Sequence, residues 1–220
     1  MATAEKLLEL ARAELGVKES PAGSNKVKYN TEYGGAPKAW CCVFVWWLFR
    51  QTGASELFFN GAKTAYAPAL LTYHKKMGQA VSGDYKPGDV IFFDFNGNGT
   101  SDHVGVCESW DGTYITSVDG NTGEGNEANG GAVMRRRRHK KTICGAYRPA
   151  YEEVETVDQK QFDAMMEDWL NRRGGLPASL WSKMAEAKAA GITDGTRPRS
   201  FATREEVATM IVLAGRSSKT

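Results

Sequence analysis

The stretch KAWCCVFVWWLFRQTG, residues 38–53, is almost wholly apolar and places two cysteines side by side. Residues 40–51 are predicted to form a helix that Gly53 ends, because glycine is common just after the last turn of a helix. A helix that is apolar on all sides belongs in a protein core. The fold is therefore expected to pack around this helix.

The segments on either side of this helix predict an α+β domain. A first helix is expected between Thr3, a suitable N-cap residue, and Gly16, while the Gly-, Pro-, Ser- and Asn-rich residues 17–37 predict a long ordered loop. From residue 81 onward, short β-branched and aromatic runs separated by turn residues predict an antiparallel meander. Residues 1–152 are expected to form one domain with helices packed on a sheet.

The remaining residues, 153–220, return to helical periodicity. A capping box at Thr156 and Gln159, a proline at 177 and a cap at Thr203 predict successive helices. This segment is expected to form a small, separate, all-α C-terminal domain near the lower size limit for independent stability.

Composition excludes several classes of partner for the 220-residue chain. The formal charge of +2 gives no strong field for nucleic acid, and no run approaches the roughly 18 apolar residues that membrane insertion needs. The start, MATAEKLLELARAELG, lacks the apolar core of a signal peptide, which predicts synthesis in the cytoplasm with reduced thiols. Action outside that compartment would need another route of release.

Cys41 lies at the predicted start of the apolar helix. Unpaired N–H groups and the helix dipole favour an anion there, so a thiolate nucleophile is one interpretation and a small buried core residue is the other. Successive helical residues differ by about 100°, so Cys42 should point elsewhere if Cys41 faces a site. Cys42 is then expected to pack in the core beside Trp46 and Phe49.

A cysteine nucleophile needs a base, and the chain has three histidines. His74 is expected in a solvated stretch, and the cations around His139 disfavour another positive charge. His103 opens a predicted strand on which it shares one face with Gly105 and Cys107, and glycine would let another element approach that face closely. His103 is therefore the best candidate base.

A third group should orient the imidazole, and two residues on the next predicted strand are candidates. Asp119 and Asn121 are two apart, so both side chains are expected on one side of the sheet. The alternative is that Asp-Gly-Asn forms only a turn.

These motifs together resemble a known family. PKAWCCVFVWWLF, KPGDVIFFDF with DHVGV, and VDGNTG follow the order and spacing of the CHAP domain, the cysteine- and histidine-dependent amidohydrolase/peptidase module of bacteriophage endolysins and cell-wall hydrolases. The opening helix and loop are also similar, so the resemblance covers about residues 3–151. It implies a papain-like fold for this domain.

The resemblance also implies the roles of the site residues. Cys41 would be the nucleophile and His103 the base, with Asp119 and Asn121 as the orienting acid and following polar residue, although relatives often have Glu where Asp119 stands. The implied activity is hydrolysis of a peptidoglycan amide bond, as an N-acetylmuramoyl-L-alanine amidase or an endopeptidase. No cofactor is required for this chemistry, and the protein would act at the bacterial cell wall after synthesis in the host cytoplasm.

A stretch just before His103, DFNGNGTSD, has the alternating oxygen-bearing residues of a calcium loop with glycine at its sixth position. A glutamate at the twelfth position is missing, because Gly105 stands there. An Asn-Gly hairpin is the alternative. The possible calcium ligands are Asp94, Asn96, Asn98, Thr100 and Asp102.

Two further clusters have competing interpretations. A zinc site could draw on several cysteines and His103, but the chain lacks the paired C-x-x-C spacing typical of such sites. MRRRRHKK, residues 134–141, favours a solvated hairpin edge over nucleic-acid binding, with anionic wall polymers as another possible partner. The zinc candidates are Cys41, Cys42, His103, Cys107 and Cys144.

The C-terminal segment from Trp181 to Ala214 resembles a single S-layer homology repeat. The resemblance implies binding to wall polysaccharide, and the alternative is a helical pair that packs on the catalytic domain or forms a dimer. The sequence thus predicts a phage or prophage endolysin that binds and cleaves peptidoglycan. A non-catalytic wall-binding or structural phage module and a papain-like hydrolase of another amide are the alternatives.

Overall fold

A computed structural model describes residues 2–152 and the single residue Ala164. The chain divides into two units, Met1–Val154 and Glu155–Thr220. The predicted all-α domain at 153–220, with its S-layer homology resemblance and its possible wall binding or dimerisation, lies outside the described residues. Those interpretations stay predictions.

Residues 2–152 combine helices with an antiparallel sheet, as the sequence predicts. The helices are α1 Ala4–Ala13, α2 Lys28–Tyr33, α3 Cys41–Gln51, α4 Ser55–Phe59 and α5 Ala67–Lys76. The strands are β1 Val90–Phe93, β2 His103–Trp110, β3 Tyr114–Thr122, β4 Ala132–His139 and β5 Ile143–Tyr147, and a 3₁₀ turn, Lys140–Thr142, joins the last two.

The sheet has the strand order β4-β3-β2-β1-β5, with antiparallel neighbours throughout. The meander prediction is confirmed for β1 to β4, but β5 pairs with β1 at the opposite edge. Four strand spacings of ~4.8 Å would separate the edges of a flat sheet by ~19 Å, more than the ~14 Å that the short link from His139 to Ile143 spans. The sheet must therefore curl strongly toward closure.

Helix α3 forms the centre of the main core. Every residue from Cys41 to Phe49 is buried, which confirms the predicted core helix. Val104 and Val106 of β2 pack in the same cluster, whereas Cys107 belongs to a second cluster. This alternation confirms the predicted faces of β2. A Cβ added to Gly120 would overlap Phe44, so α3 approaches β3 very closely.

Helix α1 has the predicted N-cap, because the Thr3 hydroxyl accepts a hydrogen bond from the Lys6 N–H at 3.3 Å. The loop predicted for residues 17–37 contains α2, which the sequence interpretation missed. Tyr29 explains this helix, since its buried ring packs against aromatic side chains of the α3 region and its hydroxyl donates to Glu14 at 2.6 Å. Tertiary contacts thus select a helix that local composition does not.

The prediction that His74 lies in a solvated stretch is wrong. His74 belongs to α5 and is buried, with its ring stacked on that of Tyr147 at 3.4 Å between centroids. Its Nε2 contacts the Phe58 carbonyl at 2.6 Å. Its role in the described structure is packing.

The helices are too short or too polar to span a membrane in the part of the chain that the structure describes.

Candidate active site

Cys41 is the first residue of α3, and its side chain lies at the edge of the core with 6% of the residue exposed. Trp40 is the N-cap residue, and no side chain caps this end of α3 within the described structure. The first-turn N–H groups therefore remain available to an anion. This is the environment that the sequence predicts for a thiolate, and it would also suit an oxyanion formed next to the sulfur.

Cys42 has a different environment from its neighbour. It is fully buried, and its Sγ contacts the Thr64 carbonyl oxygen at 3.4 Å. Burial, followed by the proximity of Cys41, raises the pKa of Cys42 well above its ordinary value. The prediction that Cys42 is a core thiol is confirmed by this burial.

His103 and Asp119 form a buried pair. His103 is the first residue of β2, and its Nε2 donates to Oδ2 of Asp119 at 3.1 Å. Neither side chain has any exposed surface. The other ring nitrogen, Nδ1, has no hydrogen-bond partner among the described residues. One nitrogen of the imidazole is thus held by a carboxylate while the other is free for proton transfer.

The charge state of His103 follows from its neighbours. Burial by itself would lower the pKa of the imidazole. The hydrogen bond to Asp119 and the interaction with Cys41 outweigh burial and raise the pKa of His103 to about 9. The imidazole is therefore protonated at neutral pH. A protonated Nδ1 can donate its proton to a leaving group in the site.

Asp119 keeps its charge although it is fully buried. Burial opposes ionisation, but the charge of Arg138 and the interactions with His103 hold the pKa of Asp119 below its ordinary value. A Cβ added to Gly105 would overlap Oδ1 of Asp119, so the predicted close approach at this glycine is confirmed. The absence of that Cβ lets the short aspartate side chain reach the imidazole.

Asn121 does not contact His103 through any hydrogen bond in the described structure. Its Nδ2 donates to Oδ1 of Asn129 at 2.8 Å, and its φ of +59° places it in the left-handed region. The pairing of β3 with β4 is irregular between Asp119 and Thr122. This irregularity interrupts the alternation of side chains along β3, on which the expectation that Asp119 and Asn121 share one side of the sheet was based. Of these two residues, only Asp119 is hydrogen-bonded to the imidazole in the described structure.

Arg138 is a site residue that sequence reasoning missed. The sequence places it in a cluster that is expected to be solvated, but Arg138 is buried and donates to Asp119. The period of two along β4 was an available signal, since it separates Arg136 and Arg138 from Arg135 and Arg137. Each of these four arginines pairs with a carboxylate, so the solvated-edge prediction holds only for the two outward ones.

The candidate calcium loop connects β1 to β2. The carboxylate of Asp94 accepts backbone N–H groups of residues 97, 98 and 99, and that of Asp102 accepts those of residues 95 and 96. The side-chain oxygens of Asn96 and Asn98 accept the N–H groups two residues further on, the second of them that of Thr100. These contacts suit the hairpin alternative, and calcium binding stays a prediction.

The zinc alternative receives no support. Within residues 2–152, no group of three or more His, Cys, Asp or Glu side chains is placed to hold a metal ion.

Substituting Gly105 with alanine is expected to displace the Asp119 carboxylate and to weaken its hydrogen bond to His103. The pKa of His103, measured by NMR, should then fall from about 9 toward its ordinary value of 6.5. Ser109→Ala, at an exposed position on the same strand, is the control and should leave the titration unchanged. An unchanged His103 titration in Gly105→Ala would contradict the close approach described here.

A comparison with protein-family models matches the part of the chain that carries this site. A family model described as the CHAP domain matches residues 31–121, which include Cys41, His103 and Asp119. No curated protein matches the chain. The family match therefore rests on the part of the chain that carries the buried His103–Asp119 pair and Cys41.

Two solved structures show more distant similarity. Ly7917 is 19% identical with a TM-score of 0.42, and the match covers 67% of this chain and 62% of that chain. A wild-type endolysin, LysIME-EF1, is 14% identical with a TM-score of 0.44, covering 80% of this chain and 88% of that chain. The chain thus spans less than two thirds of the length of Ly7917.

Proposed function

We propose that the chain is a peptidoglycan hydrolase that cleaves an amide bond through a cysteine nucleophile. The observation that carries this proposal is the buried His103–Asp119 pair next to Cys41 at the start of α3. The interaction with Cys41 is one of the causes that raise the pKa of His103. The CHAP match over residues 31–121 supports the class of reaction and the substrate. An endolysin of phage or prophage origin is the protein type that fits this activity.

The proposed mechanism uses the two nitrogens of His103 differently. Nε2 stays bonded to Asp119, while Nδ1 holds the proton taken from the Cys41 thiol. The thiolate attacks the amide carbonyl, and the backbone N–H of Cys41 at the uncapped start of α3 can stabilise the oxyanion. Nδ1 then gives its proton to the leaving amine, which leaves a thioester between Cys41 and the acyl group.

The second half of the reaction regenerates the enzyme. Neutral His103 takes a proton from water, the hydroxide attacks the thioester, and the acid product leaves as the sulfur becomes a thiolate again. Asp119 stabilises the imidazolium in both halves without taking the proton itself. The described side chains supply every proton transfer in this scheme.

Digestion of purified peptidoglycan, followed by mass spectrometry of the released fragments, tests the proposal and identifies the bond. A free lactyl carboxyl with a new alanine N-terminus indicates an N-acetylmuramoyl-L-alanine amidase, and a cut within the stem peptide or cross-bridge indicates an endopeptidase. Cys41→Ala protein serves as the blank. No release of fragments by the wild-type protein would refute the proposed substrate.

Protein and isopeptide substrates belong in the same assay. Cleavage of these substrates with no effect on peptidoglycan would indicate a papain-like hydrolase of another amide. Binding to peptidoglycan without cleavage of any substrate would indicate a non-catalytic wall-binding or structural module. Either result would replace the proposed function.

A further inference from the structure

The four consecutive arginines of β4 divide between the two faces of the strand. Arg135 and Arg137 have half-exposed side chains. Arg136 is 18% exposed and Arg138 only 6%, so Arg138 is the more deeply buried of the two inward arginines. A buried guanidinium is costly unless its charge and its N–H groups are satisfied.

The guanidinium of Arg138 is fully engaged. Its Nη1 donates to Oδ2 of Asp119 and lies 3.5 Å from Oγ of Ser117. Its Nη2 donates to Oγ1 of Thr122 at 3.3 Å and to Oε2 of Glu127 at 2.7 Å, and its Nε donates to the same Glu127 oxygen at 3.1 Å. Arg138 therefore connects the aspartate of the site to the segment that follows β3.

Aromatic side chains from the β1 end of the sheet complete this environment. The guanidinium carbon lies 4.7 Å from the ring centroid of Phe93 and 5.2 Å from that of Phe95. Phe93 belongs to β1, two strands away from β3, which pairs with β4. The curl of the sheet therefore brings Arg138 to a position that strand order alone would not give it.

Arg138 and His103 share one acceptor atom. Both donate to Oδ2 of Asp119, while Oδ1 has no hydrogen-bond partner among the described residues. The carboxylate thus sits between two cationic side chains from β2 and β4, with Cys41 beyond His103 and Glu127 beyond Arg138. These groups form a chain of alternating charge when the thiol is ionised.

The charge of Arg138 has a specific consequence for Asp119. Burial alone would favour the protonated acid, and the charge of Arg138 is the largest of the influences that lower the pKa of Asp119. A neutral Asp119 would no longer stabilise a protonated His103 by its charge. Loss of Arg138 should therefore act on the imidazole through the aspartate.

We propose that Arg138 is a positioning residue that holds Asp119 ionised and directs its Oδ2 toward His103. Only the expected effect of Arg138 on catalysis rests on the proposed function. Arg138 has no assigned contact with substrate and is not a catalytic residue. Its effect on Asp119 is a property of the folded protein.

The direct test is the titration of Asp119 followed by NMR of its carboxyl carbon, assigned by the absence of the signal in Asp119→Asn. Arg138→Gln removes the charge and keeps a polar side chain, whereas Arg138→Lys keeps the charge. Arg136→Gln is the matched control, because Arg136 also pairs with Glu127 but has no contact with Asp119 in the described structure. No substrate is needed.

Wild-type Asp119 is expected to titrate below the ordinary range of an aspartate. The titration should move to higher pH in Arg138→Gln and stay near wild type in Arg138→Lys and Arg136→Gln. An Arg138→Gln protein with an unshifted titration would overturn the proposal. If Arg138→Gln does not fold, the wild-type titration alone tests the proposal. A wild-type Asp119 that titrates in or above the ordinary range of an aspartate would also overturn the proposal.

Catalysis supplies a second readout. The acid limb of the kcat–pH profile should move to higher pH in Arg138→Gln, with KM little changed, because Arg138 acts through Asp119. An equal loss of kcat at every pH, with an unmoved acid limb, would indicate a merely structural role and would count against the proposal. Absence of wall cleavage by the wild-type protein would refute the proposed function, while the Asp119 titration would still decide the role of Arg138.

Discussion

Replacing Cys41 with alanine is expected to reduce the release of peptidoglycan fragments by at least about 10³-fold, because removal of an activated nucleophile abolishes the covalent route. Cys41 has no substitute in the site, since its neighbour Cys42 is fully buried and contacts the Thr64 carbonyl. Fragment release is measured by mass spectrometry, and circular dichroism checks that the variant folds.

The matched control is Cys42→Ala. This change should keep most of the activity and lower thermal stability modestly, because it removes a buried sulfur from the core around α3. The reverse pattern, with Cys42→Ala inactive and Cys41→Ala active, would move the nucleophile by one residue. It would also contradict the orientation of α3 described here.

Replacing Asp119 with asparagine is expected to lower kcat by about 10²- to 10⁴-fold and to change its pH dependence. The side chain keeps its size but loses the charge that stabilises protonated His103. Burial still lowers the pKa of His103, so the pKa should fall from its wild-type value of about 9. The alkaline limb of the activity profile should therefore move to lower pH.

This expectation is checked by the kcat–pH profile together with an NMR titration of His103. Asp111→Asn is the control, since Asp111 is an exposed carboxylate on the neighbouring turn that pairs with Arg137. Its loss should leave the His103 titration at the wild-type position. A His103 pKa that stays near 9 in Asp119→Asn would show that the carboxylate does not set the charge state of the imidazole.

Elements with a strong local signal were predicted well. The continuous apolar run gave helix α3, and the alternation around His103 gave the two faces of β2. Helices α2 and α5 were not predicted, because their stability depends on what covers them. Tyr29 packs against aromatic residues of the α3 region, and His74 stacks on a tyrosine of β5. Neither contact leaves a periodic trace in the sequence.

The sequence by itself determined the apolar helix that begins at Cys41, the strand that begins at His103 and the close approach at Gly105. Each of these follows from residue type and short-range period. Tertiary structure alone decided that Asp119 holds the imidazole and that Arg138 holds Asp119. His103, Asp119 and Arg138 lie on the neighbouring strands β2, β3 and β4, and their contacts depend on the pairing register of these strands, which residue type and short-range period do not determine.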